Sequence, residues 1–174
     1  MTSEGRLTEI RAFLLPLSVA DAAGDVFCLF SQNQVVEILG RRPIQRIPFS
    51  PTYLVGVVNY FDQLLPVISL DELCNPKQLG CNGGYQQLVV IRTGTVDPAT
   101  GEPLKAVIVS STRVHLAKLS AQVLATSVAG SEAPTSLKNT GMLRGYFQRE
   151  SGGIALIDLS RVVQGTLSNV VQAD

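Results

Sequence analysis

Side chains that could do chemistry are few and scattered in this chain. The single histidine, His115, lies in a strand-like apolar segment, where a half-buried structural histidine is the expected role. No serine stands in a G-x-S-x-G sequence, which would present it as a nucleophile on a sharp turn. The glycine-rich stretch at 80–84 lacks the Lys-Ser/Thr pair of a phosphate-binding loop and is interpreted as a flexible subdomain boundary. These patterns predict a protein that is not an enzyme.

Metal and redox chemistry also lack the residues that they require. Cys28, Cys74 and Cys81 form no C-x-x-C pair, and with one histidine they supply too few ligands for a closed zinc site. Free, mostly buried thiols are typical of a reducing compartment. We therefore expect no metal, no cofactor and a cytoplasmic location.

Composition indicates contacts with other proteins and disfavours two other kinds of partner. Hydrophobic residues make up 45% of the 174 and charged residues only 16%, against about 25% charged in a typical domain. A compact β protein with neutral polar loops would have the same composition. The 14 basic residues balance 14 acidic ones and form no stripe that could follow nucleic-acid phosphates. No stretch approaches the roughly 18 apolar residues that span a bilayer, so we expect neither nucleic-acid binding nor direct membrane insertion.

Short apolar segments separated by turn residues predict a mainly β fold. Helix is sparse: Ser69 and Glu72 have the spacing of a capping box, and residues 160–172 place their apolar positions on one helical face. The predicted strands are Phe13–Leu17, Val26–Leu29, Val35–Leu39, an edge strand over 44–48, Leu54–Tyr60, Leu64–Ile68, Gln87–Arg92, Leu104–Ser110, Val114–Leu119, Leu143–Gln148 and Ile154–Ile157.

One pattern occurs twice in the chain. Gly56–Leu70 and Gly145–Leu159 both begin with glycine, run strand, turn and strand, and end on isoleucine, a short polar residue and leucine. The short polar residue, Ser69 or Asp158, stands where a cap for a following helix would lie. The repeat favours two similar small β subdomains over one large sheet.

The stretch RIPFSPTYLVGVVNYFD has features that indicate either a barrel corner or a surface for a partner. Pro48 and Pro51 make the connector extended and stiff. Gly56, inside a strand, indicates either a barrel corner or a place where a partner backbone comes close. Phe61 and Asp62 occupy a hairpin turn, where aspartate tolerates positive φ. The Phe61 ring either folds onto the core or is offered to a partner.

The motifs of residues 35–70 resemble those of the CheW-like coupling domains of bacterial chemosensory systems. The family pattern is roughly V-x-E-I, I-x-x-[VI]-P-x-x-P, G-[VI]-x-N-[LI]-R-G and [VI]-P-[VI]-[VI]-D-L. The matching segments here are VVEIL, IQRIPFSP, GVVN at 56–59 and PVISL at 66–70. A looser resemblance extends over roughly residues 11–165.

The resemblance implies a mainly β fold of two small five-stranded SH3-like barrels packed together, with short helices. The implied division of the chain is an N-terminal tail at 1–10, a CheW-like domain at 11–165 with subdomains at about 11–80 and 85–158, and a C-terminal helix and tail at 159–174.

The resemblance also implies a function without catalysis. Such domains are adaptors that couple the cytoplasmic tip of a methyl-accepting chemoreceptor to a CheA-type sensor histidine kinase. The alternative is an array-assembly or self-associating structural protein that binds related barrels without regulating a kinase. The residues implied to bind partners are Val35, Glu37, Ile38, Gly56, Val58, Asn59, Phe61 and Asp62.

Two features of these residues qualify the resemblance. The family's Arg-Gly pair is Phe61-Asp62 here, so an apolar ring replaces a charged guanidinium group with several N–H donors. This departure favours a divergent member in a motility system such as type IV pili or phototaxis over ordinary flagellar chemotaxis. In a regular strand, Val35 and Ile38 lie on opposite faces, and Glu37 is either a solvated carboxylate or a partner contact.

Overall fold

The computed structural model describes residues 9–75, 84–120, 133–149 and 152–164. These residues form ten strands and three short helices, close to the positions that apolar alternation predicts. The strands are β1 Glu9–Leu17, β2 Asp25–Ser31, β3 Val35–Leu39, β4 Leu54–Tyr60, β5 Gln63–Ile68, β6 Gln87–Val96, β7 Pro103–Ser110, β8 His115–Ser120, β9 Leu143–Arg149 and β10 Gly152–Ile157, and the helices are α1 Leu70–Cys74, α2 Thr135–Asn139 and α3 Ser160–Val163.

The strands form two sheets of five strands each, which confirms the predicted mainly β fold. The first sheet has the order β8-β1-β2-β10-β9, and the second has the order β3-β6-β7-β5-β4. Each sheet is antiparallel except for one parallel pair, β2 with β10 and β5 with β7. Among the described residues no ladder joins the two edge strands of either sheet, so the predicted barrels are open.

The two sheets do not coincide with the predicted subdomains at about 11–80 and 85–158. The second sheet is one continuous run of strands, β3 to β7, whereas the first combines β1 and β2 with β8 to β10. A boundary near residue 80 would separate β5 from β7, its parallel neighbour. The first strand begins at Glu9, inside the predicted 1–10 tail. Beyond α3, the predicted C-terminal helix and tail lie outside the described residues.

Apolar side chains fill two main cores. The larger core lies between the sheets and takes Phe30 from β2, Ile108 from β7 and Leu137 from α2. A second core lies on the other face of the second sheet. Strand β6 contributes to both, because its alternate residues are buried on opposite faces. This explains the unbroken apolar run LVVI in that strand.

The predicted edge strand over 44–48 is wrong. Only Gln45 pairs with β4, through two hydrogen bonds of 2.9 and 2.8 Å with the backbone of Val57. Pro43 and Pro48 stand on either side of this bridge and have no N–H to continue it. The segment nevertheless carries the chain from β3, at one edge of the second sheet, to β4 at the other.

The two copies of the repeated pattern have the same arrangement of hairpin and helix. The Ser69 hydroxyl accepts the Glu72 N–H at 3.3 Å and caps α1. In the second copy Asp158 Oδ1 accepts the Ser160 N–H at 2.9 Å, at the start of α3. Asp158 Oδ2 also accepts Arg144 Nη2 at 2.6 Å. Because of the Arg144 hydrogen bond, and then the Ser160 N–H, the pKa of Asp158 is lowered to about 2.

Candidate partner-binding surface

The hairpin between β4 and β5 presents Phe61 to solvent. Tyr60 pairs with Gln63, so the loop has two residues, and Phe61 and Asp62 have φ of +47° and +60°. Two left-handed residues are the geometry of a type I′ turn, whose twist matches that of the flanking strands. The Phe61 side chain is 81% exposed. Of the two interpretations of this ring, packing on the core is therefore wrong.

This exposed ring is held in a conformation that is costly for an aromatic residue. A left-handed residue with a Cβ costs roughly 1–2 kcal/mol relative to the right-handed region. The ring makes a T-shaped contact with Tyr60, with centroids 4.8 Å apart and planes at 90°. Such edge-to-face pairs are favourable.

Tyr60 links the turn to the opposite edge of the sheet. Its side chain is 7% exposed and belongs to the core of the second sheet. Its hydroxyl donates to Glu37 Oε2 at 2.9 Å. Burial and then the Glu37 hydrogen bond and charge raise the pKa of Tyr60, and the nearby Arg42 lowers it. Since Glu37 is on β3, this hydrogen bond crosses between the two edge strands of the second sheet.

Val35 and Ile38 do not lie on opposite faces. The register of β3 against β6 shifts between Val35 and Glu37, which is a β-bulge. The extra residue turns both apolar side chains to the core between the sheets, where they are half-buried. Glu37 between them is exposed.

Gly56 and Val58 lie beneath the surface. Gly56 has φ +153°, and a Cβ there would lie 2.3 Å from the Gln45 carbonyl oxygen. The close backbone approach that this glycine permits is therefore made by the chain's own segment, at a bulge in the β4–β5 ladder. Val58 is buried in the second core. Both residues shape β4 beneath the exposed positions.

Asn59 is exposed and has an apolar neighbour that sequence reasoning missed. It pairs across the hairpin with Leu64, whose side chain is 69% exposed. Cross-strand pairs project from the same face of a sheet. In the run QLLP the sequence does not show which of Leu64 and Leu65 points outward, and the structure buries Leu65.

Phe49 is a second exposed phenylalanine that the sequence analysis did not single out. It has φ +60° and is fully exposed. The bridge between Gln45 and Val57 runs antiparallel, so Phe49 lies toward the start of β4 and Phe61 at its end. Its only signal in the sequence is its place between two prolines.

The reactive side chains of the described residues are dispersed. No group of three or more histidine, cysteine or acidic side chains comes together there. His115 is exposed, because it opens the edge strand β8 and is not half-buried as expected. Cys28 and Cys74 are buried, and burial raises the pKa of both thiols, that of Cys74 to about 12. Cys81 lies outside the described residues, which include no helix long and apolar enough to cross a membrane.

Comparison with known proteins identifies the family of this architecture. A family model for the CheW-like domain matches residues 19–166. The fold is similar to the crystal structure of the scaffolding protein TtCheW from Thermoanaerobacter tengcongensis, with a TM-score of 0.61 and 15% sequence identity. That similarity covers 93% of this chain and 92% of the other. No curated protein sequence matches the chain.

Proposed function

The chain belongs to the CheW-like domain family of chemosensory scaffold proteins, and from that membership we propose that it couples the cytoplasmic tip of a chemoreceptor to a CheA-type histidine kinase. It does so as a cytoplasmic adaptor without catalytic activity of its own. Its partners dock on a surface formed by β3 and the β4–β5 hairpin, defined by Glu37, Asn59, Phe61, Asp62 and Leu64.

The exposed Phe61 ring is the observation that carries this proposal. The ring stands at the turn that adjoins the exposed Asn59–Leu64 pair, so one partner could cover all three side chains, whereas Phe49 lies toward the other end of β4. Phenylalanine and tyrosine are also enriched in the buried centre of protein interfaces. The half-buried Val35 and Ile38 and the buried Gly56 and Val58 support the strands that present this surface.

The substitution of Phe61-Asp62 for the family's Arg-Gly pair supports a specialised system. Arginine at the turn would bind carboxylates through paired hydrogen bonds, which a phenylalanine ring cannot do. The partner of this chain must instead cover an apolar ring. We therefore propose a chemosensory system for pilus-driven or light-directed motility rather than the ordinary flagellar one.

Two purified partner fragments test the proposal directly. They are the CheW-like regulatory domain of a sensor histidine kinase and the coiled-coil tip of a chemoreceptor, both encoded in the same genome as this chain. Titration calorimetry should show that the wild-type chain binds at least one of them. Phe61→Ala should weaken that binding about tenfold or more, as loss of a central aromatic contact does.

Phe49→Ala is the matched control for this experiment. It removes the same side chain from another exposed left-handed position, at the other end of β4. We expect it to leave the dissociation constant within about twofold of wild type, an effect under roughly 0.5 kcal/mol. Equal losses in both variants would show that the hairpin is not the specific contact. If the wild-type chain binds neither fragment, the proposed function is wrong.

Self-association or array assembly is the second candidate function. The edge strands β8 and β9 of the first sheet have no second ladder partner among the described residues, so their outer backbone groups can pair with another chain. Sedimentation at rising protein concentration, with and without the kinase fragment, separates the two functions. A dimer that forms alone and leaves kinase autophosphorylation unchanged would favour the structural role.

A further inference from the structure

Tyr60 contacts two elements of the proposed surface, β3 and the β4–β5 turn, that no backbone ladder joins among the described residues. Its ring is buried in the second sheet and makes a T-shaped contact with Phe61, while its hydroxyl donates to the exposed Glu37. Glu37 lies on the edge strand β3, and Phe61 lies in the turn that follows β4, the opposite edge strand of that sheet. Tyr60 thus contacts both, through a hydrogen bond to Glu37 and a ring contact with Phe61.

We propose that Tyr60 is a positioning residue, which holds Glu37 and Phe61 as one preorganised contact for a partner segment that carries a hydrogen-bond donor next to an apolar side chain. The proposal rests on the proposed function, because it concerns the same surface. It adds a residue that makes no direct contact with the partner, and it names the chemistry that the partner must present.

The chemistry of the partner follows from what Tyr60 leaves open. The Tyr60 hydroxyl donates a hydrogen bond to Glu37 Oε2. The other carboxylate oxygen, Glu37 Oε1, has no hydrogen-bond partner among the described residues. A carboxylate oxygen accepts from ammonium, guanidinium, amide or backbone N–H groups. The neighbouring Phe61 ring, 81% exposed, requires apolar surface to cover it. A lysine, arginine or glutamine beside a leucine-like residue would satisfy both.

Preorganisation is the means by which Tyr60 would act on binding. An exposed glutamate on an edge strand is free to change rotamer, and ordering such a side chain on binding lowers affinity. A hydrogen bond from a rigid, buried ring restricts that freedom before the partner arrives. The same ring limits the directions open to Phe61, whose backbone is already fixed by the two-residue turn.

Tyr60→Phe isolates this role, because it removes the hydroxyl and keeps the ring and its contact with Phe61. With whichever of the two fragments binds wild type, we expect the dissociation constant to rise about three- to tenfold, the cost of ordering one freely rotating side chain on binding. Tyr53→Phe is the matched control: it removes a hydroxyl from the half-buried tyrosine just before β4 and should leave the dissociation constant unchanged.

A double-mutant cycle with Glu37→Ala separates positioning from a general effect on folding. Glu37→Ala is at an exposed site, so the protein should fold, and it should itself weaken binding. In that background Tyr60→Phe should change the dissociation constant less than about twofold, because the group it positions is gone. All titrations are made well below the melting temperature of each variant.

Each outcome of this experiment has one meaning. Wild-type binding with no loss in Tyr60→Phe overturns the positioning role and leaves the proposed function intact. An equal loss in the wild-type and Glu37→Ala backgrounds also overturns it, since Tyr60 would then act without Glu37. If wild type binds neither fragment, the failure is that of the proposed function.

Discussion

Replacing Phe61 with glycine should give a more stable protein than replacing it with alanine, while both replacements should weaken partner binding. At φ +47° a residue with a Cβ carries roughly 1–2 kcal/mol of strain, which glycine does not. Glycine also loses more conformational entropy on folding than alanine, which costs about 0.5–1 kcal/mol. Phe61→Gly and Phe61→Ala lose the same ring, so their difference isolates these two quantities. We expect Phe61→Gly to be more stable than Phe61→Ala by roughly 0.5–1 kcal/mol.

Urea unfolding at 25 °C measures this difference, with wild type and both variants fitted for midpoint and slope. The melting temperatures should differ by about 1–4 °C for a domain of this size. Leu64→Gly and Leu64→Ala are the control pair, since Leu64 is exposed in β5 and has no positive φ. There the sign should reverse, and the glycine variant should be the less stable by about 0.5–1 kcal/mol.

A Phe61→Gly protein that is no more stable than Phe61→Ala would contradict the prediction, because φ at residue 61 would then carry no net cost. That result would mean that the turn holds no strain at Phe61. Both variants should bind the partner fragment equally weakly, because binding depends on the ring and not on φ. Tight binding by Phe61→Gly would also contradict the proposed surface.

Three further perturbations test other parts of the fold. Gly56→Ala should lower the free energy of unfolding by more than about 2 kcal/mol, since its Cβ would lie 2.3 Å from a carbonyl oxygen; an unchanged denaturation midpoint would contradict the close approach. The Arg144 hydrogen bond lowers the pKa of Asp158 to about 2. The ionised Asp158 carboxylate therefore stabilises the fold fully above about pH 4, and this stabilisation is lost as the pH falls through 2. Asp158→Asn should therefore cost about 1 kcal/mol at pH 6 after solvent screening, and flatten acid unfolding between pH 4 and 2. Burial raises the pKa of the Cys28 and Cys74 thiols, so iodoacetamide should label them only in denaturant, and peptide mass spectrometry in native buffer would reveal any earlier opening.

Local patterns in the sequence were enough to locate the strands and the first helix cap. The hairpin of β4 and β5 was predictable because two apolar runs flank a short turn, and Asp62 stands where positive φ is required. The cap at Ser69 was predictable because it depends on a spacing of three residues. The repeated hairpin and helix follow from the same kind of short-range pattern.

Pairings between distant segments could not be predicted in the same way. Asp25–Cys28 pairs with Gly152–Ala155 in parallel, and nothing in either segment identifies the other. This pairing makes the first sheet discontinuous in sequence, and the expected subdomain bounds missed it. The bulge in β3 was also unpredictable, because one extra residue changes which face Val35 and Ile38 occupy without altering the residue types.

The candidate surface was predicted in part. Phe61 was recognised as unusual, but whether its ring pointed inward or outward depends on how tightly the turn closes. Tyr60 was not recognised, since its contact with Glu37 needs the two edges of a curved sheet to approach each other. Phe49 was missed because a proline-flanked connector gives no indication of side-chain exposure.

The discontinuous first sheet sets an order of events while the chain is being synthesised. Once Ser110 has emerged from the ribosome, every strand of the second sheet is available to pair. Strand β2 must wait for β10, which follows the other nine strands of the described residues. Until then Leu15 and Phe30 lack the β10 part of their cover and are candidates for nascent-chain chaperones. A message truncated after Ser120 would yield one finished sheet joined to an unfinished one, a natural substrate for proteolytic quality control.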